Sequence, residues 1–262
     1  VKKSKFIIAI IGIIFLGISW SGVEAADSLL EVLPVDQLYQ ISVLTPSGED
    51  EYDYFVRFQV DETANQLKVI TNGPQYRMES VYDDRLQLLT SEMTVISKED
   101  AIRVGFDHRY AVYTPNTRKI NITYYLDGVF QVNREIKLDQ TAAEIEVTGL
   151  YLQALLLNGE TNFHGRLIDL NSGGKMQLDS RLLTNKEIQK LAQEKRMAPQ
   201  VKSILENSDD IYVFSIGYDG ILRLFFPARF HVVLEKAAPH RILAFWGGSG
   251  DTMRYHYYQY QE

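Results

Sequence analysis

The chain contains no cysteine, which excludes a disulfide framework, a lipid-modified cysteine behind an export signal and any cysteine-based zinc set. Prolines are few, seven in 262 residues, and no basic run is longer than two residues, as in Lys195-Arg196. The formal charge is −7. An acidic chain without basic tracts lacks the phosphate contacts on which nucleic-acid binding depends, and is poorly attracted to an anionic membrane surface. Long apolar runs are also missing, with one exception. Phe6 to Ile18 follows Lys2, Lys3 and Lys5 and precedes the small-residue pattern Val23-Glu24-Ala25. This is the pattern of a secretory signal peptide over residues 1–25. The competing reading is an uncleaved anchor, because Phe6 to Val23 approaches the roughly 17 residues that cross a bilayer, although Ser19, Ser21 and Gly22 interrupt its end. Cleavage after Ala25 removes three lysines and Glu24, moves the charge to −9, and leaves residues 26–262 as one β-rich periplasmic domain with no transmembrane segment. Without disulfides, its stability must come from a hydrophobic core.

Motifs for chemistry are as scarce. The histidines His108, His164, His231, His240 and His256 are scattered singly, with no His-Glu-x-x-His, so no metal ligands, cofactor or catalytic residues are assigned. Gly247 to Gly250 lacks the lysine and following helix of a phosphate loop, and around Ser249 the nucleophile-elbow pattern fails at Asp251. Ser172-Gly173-Gly174-Lys175 matches Ser-x-x-Lys without its partner motifs. Asp83-Asp84 and Asp209-Asp210 lie at turns without calcium-loop spacing. Carboxylates such as Asp53 and Glu135 could act together only through an arrangement the sequence does not display.

What the chain does have is a two-residue period. Tyr52, Tyr54, Val56, Phe58 and Val60 alternate with polar residues, as in a half-buried strand. A turn over Pro46 to Glu49 sets Val43 opposite Tyr52, Ile41 opposite Tyr54 and Tyr39 opposite Val56, with apolar residues on one side. In the hairpin around Asp127-Gly128, a three-residue loop from Leu126 to Gly128 pairs Tyr124 with Phe130 and Ile122 with Val132. Gly247 to Gly250 reads as a four-residue turn that places Ile242 opposite Tyr255 and Ala244 opposite Met253, on one apolar side with Trp246 and Tyr257. Further strands are expected at Gln66–Asn72, Tyr76–Tyr82, Ala101–Asp107, Arg109–Thr114, Phe163–Leu170, Lys175–Leu183, Ile211–Gly217, Ile221–Phe226 and Phe230–Glu235. Glu79 to Thr94 is open between strand and helix.

Two helices interrupt this pattern. Thr141-Ala142-Ala143-Glu144 has the form of a capping box and opens a segment with Ile145, Gly149, Leu152, Leu155 and Leu156 that stops at Asn158-Gly159. Its second half is apolar on nearly every side and so requires cover from more than one surface. Thr184-Asn185-Lys186-Glu187 opens a more polar helix ending near Met197 and Pro199. The fold class expected is α+β and mostly antiparallel: a curved sheet or half-barrel of about ten or more strands, with the leucine-rich helix on its concave face.

Aromatic residues are plentiful, with 16 tyrosines, 12 phenylalanines and two tryptophans. In Tyr255-His256-Tyr257-Tyr258-Gln259-Tyr260 they occupy both parities, so that strand must be covered twice, by helix on one side and by cavity, ligand or partner on the other. The hairpin "NITYYLDGVFQVNREIKL", the helix "TGLYLQALLLNGE" and the segment "APHRILAFWGG", behind a signal peptide, resemble a Gram-negative periplasmic family of unknown function (DUF3108-like). Its members are similar in fold to the half-barrel carrier and receptor of the lipoprotein-localisation pathway. The resemblance implies a curved sheet with an apolar concave face and the helix as plug or lid. It carries no catalytic residues.

The function expected is non-enzymatic binding of an acyl chain or other amphiphile between that face and the helix. Tyr54, Val56, Phe58, Ile122, Phe130, Leu152, Leu156 and Trp246 are the lining candidates; a closed core filled by the same side chains is the competing reading. The alternative of another class is an envelope assembly or scaffold protein that binds a protein partner through a sheet edge or the aromatic C-terminal strand.

Overall fold

The computed structural model describes residues 29–138, 142–144, 147–171, 173–194, 196–218, 229–247 and 253–261, with only the backbone described at 142–144, 162–167 and 176. The segment 1–25, the strand expected at Ile221–Phe226 and the turn residues Ser249 and Asp251 lie outside the described residues. The described strands, in chain order, are β1 (Asp36–Leu44), β2 (Asp50–Asp61), β3 (Gln66–Asn72), β4 (Tyr76–Tyr82), β5 (Leu88–Val95), β6 (His108–Thr114), β7 (Lys119–Leu126), β8 (Val129–Lys137), β9 (Ala142–Glu144), β10 (Asn162–Asp169), β11 (Gly174–Leu182), β12 (Ile211–Tyr218), β13 (Phe230–Glu235), β14 (Ile242–Gly247) and β15 (Arg254–Gln261). The helices are α1 (Lys98–Val104), α2 (Thr148–Leu157), α3 (Asn185–Ala192) and α4 (Pro199–Glu206).

All 15 strands form one sheet in the order β8-β7-β6-β5-β4-β3-β2-β1-β15-β14-β13-β12-β11-β10-β9. Neighbours are antiparallel except β9, which runs parallel to β10. The first and last strands of the chain, β1 and β15, therefore pair in the middle, with Tyr39 opposite Tyr260 and Leu44 opposite Tyr255. The sheet is curved, and the turn between β10 and β11 reaches the opposite end of it. There the Tyr124 hydroxyl donates to the Leu170 carbonyl at 2.7 Å, and Arg109 Nη1 donates to Asn171 Oδ1 at 2.5 Å. Lys175 Nζ donates to the Lys137 carbonyl of edge strand β8 at 3.0 Å. The ends are thus drawn together by side chains and turns into a barrel-like shape, as the period-two pattern and the all-round apolar helix require.

The register expected for the first hairpin is observed: Val43 faces Tyr52, Ile41 faces Tyr54 and Tyr39 faces Val56. The segment left open divides into β4 and β5. Five other expectations are corrected. Asp127 (φ 52°) and Gly128 (φ 73°) form a two-residue turn with Leu126 opposite Val129, and a bulge after Tyr124 then restores the faces, pairing Tyr124 with Val132 and Ile122 with Arg134. The last hairpin is longer than expected: Gly247 pairs with Arg254 and Trp246 with Tyr255. Ala101–Asp107 is not a strand but lies largely in α1, where the Ser97 side chain accepts from the Asp100 amide and Gly105 (φ 85°) ends the helix in the left-handed region. Ile102 and Val104, 66% and 47% exposed, imitated an alternating pattern without being buried. Finally, Ala142 to Glu144 pairs with β10 as a strand, so α2 begins at Thr148 and not at the expected capping box. The second capping box holds, with reciprocal Thr184–Glu187 bonds, but Pro199 opens a further helix at its first turn and does not close α3.

Two hydrophobic clusters lie on opposite faces of the sheet. The inner cluster gathers Tyr39, Phe58, Leu67, Ile120, Ile122, Phe214, Val232 and Leu234 around α2. Leu150, Leu152, Ala154, Leu155 and Leu156 of that helix are all buried, each full leucine burial being worth about 2 kcal/mol. The outer cluster packs Ile188, Ala192, Val201 and Leu205 of α3 and α4 onto Val213, Val233, Ala244, Trp246 and Tyr255. The Tyr255 hydroxyl donates to the Arg196 carbonyl between those helices at 2.6 Å.

Candidate functional site

Six of the eight lining candidates come together inside the curved sheet. Val56, Phe58 and Ile122 stand on the inner walls, Leu152 and Leu156 belong to the plug, and Tyr54 packs against the same cluster. The remaining two do not join them. Phe130 is 55% exposed beside Val129 and Val132 on edge strand β8, where its ring meets Tyr125 edge-to-face. The two-residue turn pairs Phe130 with Tyr125 and not with the buried Tyr124, on an edge strand exposed on both faces from Val129 to Glu135. Trp246 is buried, but on the outer face, stacked between His231 (4.8 Å) and Tyr255 (5.9 Å) beneath α3 and α4. A second bulge explains that: Leu234 pairs with Ile242 but Val233 with Ala244, so the strand turns over at Leu243 and only Ile242 and Phe245 face inward.

The trough is mostly filled by α2. A polar side chain missed in the sequence, Gln153, fixes the helix there. It is fully buried, and its Nε2 donates to the Pro239 carbonyl at 2.6 Å and to Gln37 Oε1 at 3.3 Å. Gly149 lets the helix backbone approach β14, since a Cβ there would lie 2.7 Å from Ile242 Cδ1. Beside the N-terminal end of α2 a recess of about 200 Å³ remains, lined by Tyr54, Tyr76, Thr148, Gly149, Val232, Ile242, Phe245, His256 and Tyr258. Of the sequence candidates only Tyr54 lines it.

Its polar groups converge from three elements. The Tyr54 hydroxyl and His256 Nδ1 are hydrogen-bonded at 2.9 Å. Burial pushes the His256 imidazole down to about 4, so the ring is neutral at neutral pH. Thr148 is 6% exposed, and its Oγ1 has no hydrogen-bond partner. It stands at the first position of α2, which has neither a side-chain cap nor an acidic residue in its first turn. Next to the recess, Tyr39 contacts Phe58, Tyr258 and Tyr260 edge-to-face, and its burial raises the phenol's pKa well above the ordinary range. The parity of residues 255–260 signalled this arrangement: His256, Tyr258 and Tyr260 face the interior, while Tyr255 and Tyr257 face the α3–α4 layer. Thr148 carried no signal, because its isolation arises from where the helix is seated.

The site is therefore an aromatic recess at one end of a helical plug inside a curved antiparallel sheet. Among the described residues no three histidine, aspartate or glutamate side chains are grouped to hold a metal. Nor is any described helix long and apolar enough to cross a membrane. No family model matches the chain, and no curated protein matches it. Among solved structures it is similar to a Brucella abortus protein described as a beta-barrel-like protein of domain of unknown function DUF1849. That likeness has a TM-score of 0.48 at 9% identity and covers 87% of this chain and 97% of that one.

Proposed function

We propose that this chain is an exported, non-catalytic protein of the cell envelope that binds a hydrophobic or amphiphilic ligand inside its curved sheet, with α2 as the plug beside which the ligand enters. The observation that carries this reading is an apolar helix lodged within the sheet next to an aromatic recess. An apolar helix in such a place covers surface that an acyl chain could also cover. The recess admits a ring or a short chain segment, a cavity of about 150 Å³ being enough for benzene. A longer chain requires α2 to shift. The family that the motifs resemble, whose members are similar in fold to the half-barrel lipoprotein carriers, agrees with this reading, as does the N-terminal export pattern. Native mass spectrometry of the protein purified from a periplasmic fraction tests it: a co-purified lipid or fatty acid is expected, and a bare monomer argues against it.

A second reading has its own observation. Edge strand β8 exposes Val129 (61%), Phe130 (55%) and Val132 (42%) beside a backbone edge that pairs with no other described strand and suits strand addition by another protein. The aromatic C-terminal strand cannot serve that purpose, because β15 is paired on both sides, with β1 and β14. Photocrosslinking from position 130 in cells would capture one dominant protein neighbour under this reading.

A further inference from the structure

The recess has a polar end, and that end distinguishes among amphiphiles. Thr148 lines the recess, and its buried Oγ1 has no partner, although a buried hydroxyl ordinarily finds one. It lies in the first turn of the ten-residue helix α2, directly after Val147, which is already in a 3-10 turn, and the helix dipole there favours negative charge. Such ends are ordinarily closed by a Ser, Thr, Asp or Asn side chain or complemented by an acidic residue; here Val147 makes no side-chain cap and the first turn holds no acidic residue. Among the described residues that line the recess, none is acidic. None of these described residues is arginine or lysine either, which disfavours a multiply charged phosphate and leaves a singly charged oxyanion as the best match. Tyr76, Phe245 and Tyr258 supply apolar walls.

Resting on the proposed amphiphile-binding function, we infer that the recess binds a monocarboxylate with an apolar body, such as a fatty acid, with the carboxylate on Thr148 and the first turn of α2 and the body against the aromatic walls. The Tyr54–His256 pair then acts as a neutral hydrogen-bonding wall, which keeps the site selective for the head group at α2 and adds no second charge.

The test uses the whole exported chain, delipidated, and two probes of equal chain length, octanoate and octan-1-ol, by isothermal titration at pH 7. Octanoate is expected to bind at least about tenfold more tightly than octanol, as charge-assisted hydrogen bonds require. Thr148→Val keeps the shape and removes the hydroxyl. It is expected to weaken octanoate about tenfold, to leave octanol within about twofold, and to leave the thermal midpoint unchanged or raised, because an unsatisfied hydroxyl is lost. Equal affinity for the two probes, or unchanged octanoate affinity in Thr148→Val, overturns the carboxylate inference while amphiphile binding stands. If neither probe binds and the protein from the periplasmic fraction carries no lipid, both fail. Inorganic phosphate displacing octanoate would also overturn the inference, by assigning the site to a free anion.

Discussion

The two halves of the sheet bury their side chains by different rules. In β3 the buried residues are Leu67, Val69 and Thr71, with partly exposed residues between them, and β1, β4 and β7 follow a similar alternation. These strands have a covered inner face and an outer face that meets water. In β12 five consecutive residues, Val213 to Gly217, are buried, and in β13 Val232, Val233 and Leu234 are. There the inner face meets α2 and the outer face meets α3 and α4. Both halves belong to one sheet, so the difference comes from what covers it. One-sided cover produces alternation, and two-sided cover produces continuous apolar runs.

The strongest way to break this comparison is at the element that the inner face needs. Leu152→Asp places a carboxyl at a fully buried position of α2 with no partner, and should cost about 5 kcal/mol or more, unfolding the chain in thermal denaturation. If the variant stays folded and only loses ligand, α2 is a lid, and the inner face of the sheet is stable without it. On the doubly covered half, Trp246→Ala removes the centre of the His231–Trp246–Tyr255 stack and should cost about 3–5 kcal/mol by urea titration. A loss below about 1 kcal/mol would mean that the α3–α4 layer is dispensable.

Acid compares the two faces directly, since His231 lies on the outer face and His256 on the inner. Both are lowered to about 4, chiefly by burial, with Arg229 and Arg181 adding repulsion at His231. The unfolded chain, with histidine near 6.5, takes up these protons first. Stability should therefore be full above about pH 6.5 and fall as the pH drops towards 4, with each histidine contributing up to about 1.4 kcal/mol per pH unit in that window. Denaturant titrations at pH 7 and pH 5 measure this, and His231→Phe should remove only the outer contribution. The smallest effect belongs to the singly covered half. Phe130→Ser, at an exposed edge position, should change stability by no more than about 0.5 kcal/mol, and a larger loss would mean that β8 is covered in solution.

Much of the fold was legible because strand periodicity and hairpin registers are local. Val43 opposite Tyr52 followed from one turn and one alternating pattern, and Tyr255 to Tyr260 announced a strand covered on both sides. Errors arose where a local pattern had two solutions. Ile102 and Val104 alternate like strand residues, yet the cap at Ser97 and the left-handed Gly105 make a helix of them. Thr141 to Glu144 reads as a helix cap, yet the backbone of residues 142–144 is taken up by β10. Pro199 reads equally as the end of one helix or the start of the next. Of the candidate site, the strand residues facing the interior could be read, but the polar end could not. Thr148 becomes an isolated buried hydroxyl only once α2 is seated against Ile242.

By itself the amino-acid order determined which residues alternate, where most of the chain turns, and that one helix must be surrounded, because these depend on neighbours a few residues apart. Tertiary structure alone decided that β15 lies between β1 and β14, that Trp246 turns outward at a bulge, and that Tyr54, Thr148 and His256 meet around one recess. Those outcomes depend on pairing and packing between segments separated by up to about 200 residues, where many local arrangements are equally good and only the burial of the whole sheet selects one.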